Sequence, residues 1–231
     1  MDVVANIKNV PANLVKGVVH DCERGLTNQI MPYAWQSETC IGSWHYDRSL
    51  YDQPGEFGGY LHPRDVIHWL VDTVSKNGTF VLNIPGRPDG TIDAKEIAVL
   101  DHITAWMSVN SEAIYETRPW KLFGEGPNNV AAGAFHGDTV AKLGAKDVRF
   151  TRTKNNRVIY AIILGVPTQE TTIQSLGFSS ESSLGRIEKL EVLGAGEAPA
   201  WKQTETGLTV TLPKSIAGIP EFGVALKVHL S

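Results

Sequence analysis

The chain has 231 residues, 42% of them hydrophobic, which supports a sizeable core in one large domain or two small ones. Its net charge of −4 and pI near 6.0 carry no basic footprint, so no nucleic-acid partner is expected. No stretch approaches the roughly 18 consecutive apolar residues of a membrane-crossing helix, so no membrane partner is expected either.

The opening residues, Met1-Asp2-Val3-Val4, have no basic region and no long apolar run, and do not read as a signal peptide. Val3-Val4-Ala5-Asn6 and Val18-Val19-His20 are short apolar runs that suit buried parallel strands. Segment 47–62 combines Pro54, Gly55, Gly58 and Gly59 with Tyr51, Phe57 and Tyr60, and predicts a long aromatic-bearing loop. Pro63 suits the first position of a helix, where its missing N–H does no harm. Val66, Ile67, Leu70, Val71 and Val74 then recur on one apolar face, and Gly78 is the expected left-handed residue beyond the helix end. Phe80-Val81-Leu82-Asn83-Ile84 predicts a buried strand, followed by a turn at Pro88-Asp89-Gly90. Asp93 with Glu96 three residues on predicts a capped helix whose apolar face is Leu100, Ile103, Trp106 and Met107. The predicted helices cover 63–76 and 93–109. Helix, strand and helix joined by short links follow the grammar of a parallel α/β fold.

Near residue 118 the pattern changes. Residues 148–153 and 157–164 are rich in β-branched and aromatic residues and flank the turn-like Lys154-Asn155-Asn156. Segments 186–193, 208–212 and 222–230 alternate apolar with polar residues, which predicts an antiparallel sandwich. Trp69 and Trp106 fall on helix faces and read as core, while Trp120 reads as packing between the two parts. The two cysteines, Cys22 and Cys40, make neither a disulfide framework nor a zinc site and read as buried or idle thiols. The seven histidines contain no H-x-x-x-H pair, so no metal site is expected, and no cofactor motif is present.

Three passages together resemble a known family. Trp35-Gln36-Ser37-Glu38-Thr39-Cys40-Ile41-Gly42-Ser43-Trp44-His45-Tyr46 resembles the W-x(6)-G-x-W/F-G-Y passage of family 29 α-L-fucosidases. Val74-Ser75-Lys76-Asn77-Gly78, Leu82-Asn83-Ile84-Pro85 and Asp89-Gly90-Thr91-Ile92 resemble its V-S-x-G-G-x-L-L-N-I-G-x-x-x-D-G-x-I. The run from Asn110-Ser111-Glu112-Ala113-Ile114-Tyr115 to Pro119-Trp120 resembles its N-G-E-A-I-Y-x-x-x-P-W. Their order and spacing cover about residues 1–120.

The resemblance implies an α/β plus all-β chain. Residues 1–118 would be the C-terminal portion of a (β/α)8-like catalytic barrel, and residues 119–231 an antiparallel β-sandwich. It implies retaining hydrolysis of terminal α-L-fucose from a fucosylated oligosaccharide or glycoconjugate. That chemistry needs two carboxyl groups about 5–5.5 Å apart, one attacking the sugar and one protonating the leaving oxygen. Val3-Val4-Ala5-Asn6-Ile7-Lys8 resembles the strand that follows the family's nucleophile strand. The aspartate nucleophile is therefore expected outside this chain, which would be a fragment, a split gene product or a truncated reading frame, inactive alone. A complementing chain or homo-oligomer would be the partner. Relatives are often bacterial periplasmic or secreted proteins, and the compartment stays open. The alternative is a non-catalytic sugar-binding or structural β-sandwich protein with a barrel remnant.

By the same resemblance, Glu23, in the loop before Trp35, is the first candidate for acid/base. Taken alone it reads as a solvated carboxylate paired with Arg24. Glu38 is the alternative acid/base, because Gln36, directly after the Trp where other members carry the acid, has no acidic proton to give. Lys8 stands where relatives hold fucose hydroxyls with an Arg, and would grip without the planar fork. Trp44 and Trp35 are candidate sugar-stacking aromatics, with a core role equally open for Trp35. His45 and His62 are candidates for the pocket mouth.

Overall fold

The structure, a computed structural model, describes residues 4–8, 10, 11, 13–178 and 185–231. Val3, which begins the first expected strand, lies outside them.

Four parallel strands form the first sheet: β1 (Asn6–Ile7), β2 (Val19–Glu23), β3 (Trp35–Cys40) and β4 (Gly78–Asn83), in that order across the sheet. The loop between β3 and β4 holds a single-turn helix, α1 (Arg48–Tyr51), and the long helix α2 (Pro63–Ser75). Strand periodicity sorts β3 into two faces. Trp35, Ser37 and Thr39 are fully buried, whereas Gln36 and Glu38 are half-exposed. Trp69 of α2 donates its indole N–H to Ser37 Oγ at 2.7 Å, so the buried face is the one covered by helix. The register pairs Asp21 with Gln36 and Glu23 with Glu38, which collects four polar side chains on the uncovered face.

Helix α2 begins as expected, with Pro63 at its first position and His62 accepting from the Arg64 N–H. Its end differs. The left-handed residue is Asn77, with φ 71°, and Gly78 already opens β4. Gly78 is glycine for another reason: a Cβ there would lie 2.5 Å from the Trp35 ring. Gly78→Ala is expected to force Trp35 off its site at about 1–3 kcal/mol, as overpacking does, read as a lower urea midpoint. An unchanged midpoint would show that the ring has room to shift.

Helix α3 (Ala94–Asn110) carries the complete capping box, with Asp93 accepting from the Glu96 N–H and Glu96 accepting from the Asp93 N–H. Beyond it the chain is β. Strands β5 (Thr117–Glu125), β6 (Val148–Thr153), β7 (Val158–Ile163), β8 (Thr171–Ile173), β9 (Ile187–Val192), β10 (Ala200–Thr204), β11 (Gly207–Thr211) and β12 (Val224–Leu230) build two antiparallel sheets. Their orders are β5-β6-β7-β12-β9 and β10-β11-β8.

The larger sheet is buried on both faces. Ile159, Ala161 and Ile163 of β7, with Phe150 and Leu226, pack against Leu208 and Val210 of the smaller sheet. Tyr160 and Ile162 face the helices, together with Ile67, Trp69 and Trp106. This double burial is why β7 reads as an unbroken apolar run instead of an alternating one. Trp106 donates to the Gly223 carbonyl at 2.8 Å, tying α3 to the turn before β12. Trp120 is not packing between the two parts: it meets Phe150 edge to face at 5.0 Å within the core between the two sheets.

Candidate active site

The uncovered face of the parallel sheet is polar because its strands carry charge at alternate positions near their C-terminal ends. Lys8 follows β1, Glu23 is the last residue of β2, and Glu38 sits opposite it on β3. The Lys8 ammonium lies 2.7 Å from Glu23 Oε2 and 2.9 Å from Glu38 Oε1, with Asp21 Oδ2 at 4.0 Å. The hydrogen bonds to Glu23 and then Glu38 raise the Lys8 pKa, so the ammonium persists through the whole working pH range. Lys8 is 47% exposed, so these pairs set geometry more than they set stability.

The two carboxylate oxygens that share one ammonium can be no farther apart than the sum of its two contacts. Asp21, buried beside them, accepts from Gln36 Nε2 at 3.1 Å. Nothing in the sequence singled Asp21 out. Its signal was the strand parity it shares with Glu23, visible only once β2 is known to be a strand. Glu23 does not pair with Arg24, whose φ of 45° turns the chain away after β2; its partner is Lys8.

Trp44 is 40% exposed, and its carbonyl accepts from Asn83 Nδ2 at the end of β4. With His45, Tyr46, Asn83, Ile84 and Pro85 it lines a cavity of about 400 Å³ at the C-terminal ends of β3 and β4. His62 does not join it: the ring caps α2 and packs edge-on against Phe57 and Phe222. Trp35 is a correction as well. It is 1% exposed, with its N–H donated to the Lys76 carbonyl and its ring against Gly78, so neither face is open to a sugar. Both cysteines are buried and free, and burial pushes the Cys22 thiol up to about 11, which leaves it a poor nucleophile.

Residues 2–112 match the family described as Alpha-L-fucosidase, and residues 142–229 match the one described as Alpha-L-fucosidase C-terminal domain. The chain belongs to the family 29 α-L-fucosidases. The rat plasma α-L-fucosidase is 31% identical over 190 residues, covering 80% of this chain and 35% of that protein. The Dictyostelium discoideum α-L-fucosidase is 33% identical over 187 residues, again covering 80% and 35%. This chain therefore spans about a third of the length of the curated relatives it matches. Among solved structures, a Thermotoga maritima α-L-fucosynthase in complex with α-L-Fuc-(1-2)-β-L-Fuc-N3 has TM-score 0.63 at 25% identity, over 86% of this chain and 40% of that one. The α-L-fucosidase of Vibrio sp. strain EJY3 shares the fold, with TM-score 0.67 at 20% identity over 99% and 36%.

Proposed function

We propose that this chain forms part of a retaining exo-α-L-fucosidase, with residues 1–118 as a portion of its (β/α)8-like barrel and residues 119–231 as its sandwich. The substrate is a fucosylated oligosaccharide or glycoconjugate. The observation that carries this reading is the convergence of Glu23 and Glu38 on Lys8 at the C-terminal ends of adjacent parallel strands, the end at which barrel enzymes hold their sites. Glu23 serves as acid/base, with Glu38 the alternative. Lys8 donates to sugar hydroxyls, and leaves the carboxylates when it does so. Trp44 offers its exposed indole to the apolar side of a 6-deoxy sugar. The aspartate nucleophile comes from outside these 231 residues. A partner supplying it, as a complementing chain or within an oligomer, has somewhere to dock, because the outer edges of β1 and β4 are unpaired among the described residues.

The test uses this chain joined to a nucleophile-bearing front half. Glu23→Ala is expected to slow fucosides with poor leaving groups at least a hundredfold while sparing activated aryl fucosides, and azide should restore part of the loss, since an acid matters most where the leaving oxygen most needs its proton. If Glu38→Ala gives that signature and Glu23→Ala does not, the roles are exchanged. If neither does, the reading fails.

A further inference from the structure

A second cavity, of about 420 Å³, lies between Lys76, which follows α2, and the β5 and β6 edge of the larger β-sheet. Its lining includes Lys76, Arg149, Phe123, Gly124, Asn129 and Ala132. Lys76 comes just before β4, so this cavity sits at the N-terminal end of the parallel strands, opposite the end that carries Lys8, Glu23 and Glu38.

Two buried cations share one ion-paired carboxylate at its base. Lys76 and Arg149 are both buried, and one carboxylate, Asp72, serves both. Asp72 Oδ2 accepts from Lys76 Nζ at 2.6 Å and Oδ1 from Arg149 Nε at 2.7 Å. Lys76 also donates to the Thr27 carbonyl at 2.8 Å, and Arg149 Nη1 to the Val148 carbonyl at 3.1 Å. Arg149 Nη2 donates to nothing among the described residues. The nearby carboxylates, Glu125 and Asp147, form no ion pair with either cation. Glu125 on the rim accepts from the Gln174 and Ser175 N–H groups, and Asp147 accepts from Asn128 and Gly144. The Phe123 ring lies 4.7 Å from Lys76 Nζ and 5.5 Å from Arg149 Cζ, within cation–π range of both. Burial lowers the Lys76 pKa, Asp72 opposes that, and the Arg149 guanidinium adds a smaller lowering. A buried donor without an acceptor is costly, and an oxyanion in the adjoining cavity gives Arg149 Nη2 the acceptor it lacks.

We propose that this cavity binds a small oxyanion on Arg149, either a tetrahedral inorganic anion or the carboxylate of an acidic sugar. Guanidinium suits such a ligand because its planar fork meets two oxygens at once. The cavity is larger than a lone phosphate and has room for a single acidic monosaccharide.

The 231-residue chain, in whatever assembly it purifies, is titrated with sodium sulfate, sodium phosphate or sodium glucuronate against sodium chloride at equal ionic strength, by thermal unfolding and calorimetry. At least one of the three is expected to raise the midpoint by several degrees where chloride does not, because a ligand of the native state stabilises it by mass action. Response to sulfate and phosphate alone identifies an inorganic anion site; response to glucuronate alone identifies an acidic-sugar site. Arg149→Met leaves Asp72 and Lys76 as a neutral pair and is expected to weaken binding at least tenfold. Ala132→Trp, at an exposed place on the wall, fills the cavity without touching the buried charges and is expected to do the same. No stabilisation beyond chloride in the native chain, or binding that survives Ala132→Trp unchanged, overturns the proposal.

Discussion

Assayed alone, the chain is expected to leave 4-nitrophenyl α-L-fucoside intact. Removing the nucleophile of a covalent mechanism typically costs about 10⁴- to 10⁶-fold in turnover, which puts the remainder below ordinary detection. Apart from Asp101, exposed on α3, the aspartates of the described parallel-sheet and helical part are committed elsewhere. Asp47 and Asp93 cap α1 and α3. Asp89 closes the turn onto Thr91, Asp65 pairs with Arg64, and Asp52 pairs with Arg48. Asp72 lies in the buried ion triad, and Asp21 is buried against Gln36. The same preparation is expected to self-associate on size exclusion, since two unpaired parallel edges template further pairing. A monomer with ordinary fucosidase turnover would sink this reading. Glu23, Glu38 or Asp21 would then have to be the nucleophile, and Asp21→Asn against Glu38→Gln would tell which.

Asp72→Ala is the substitution expected to destabilise the fold most. It leaves Lys76 and Arg149 facing each other in the interior, and breaking a buried ion pair from one side costs about 3–5 kcal/mol. The loss should appear in urea unfolding as a midpoint shift at unchanged slope. The effect is electrostatic, so adding Arg149→Met to Asp72→Ala should recover part of it by removing one of the two stranded cations. Equal destabilisation in the single and double variants would mean instead that the contact between α2 and β6 is lost as packing. Replacing all three residues by apolar ones of similar volume is expected to be close to neutral, because the triad must offset the desolvation of three charges.

What could be read from the residues alone was whatever neighbours within a few positions decide. Pro63 and the spaced apolar residues after it mark α2, Asp93 and Glu96 mark the start of α3, and Lys154-Asn155-Asn156 marks the turn between β6 and β7. Caps, turns and helical periodicity act over one or two turns of chain, so their signals are complete in the sequence. The family motifs likewise brought Lys8, Glu23, Glu38 and Trp44 forward as candidates. Contacts between distant segments had no such signal. Glu23 reads as a partner of Arg24 until β1 and β2 lie side by side and the Lys8 side chain, 15 residues away, reaches it. Trp35 looks available to a sugar until strand parity turns it beneath α2, where only Gly78 lets the ring lie flat. Arg149 carries no signal of its own in the sequence, and its guanidinium meets Asp72, 77 residues away, only because the larger sheet is buried on both faces. Local propensity holds no information about which two faces will meet, so burial, ion pairing and the polar face of the site were settled only by tertiary packing.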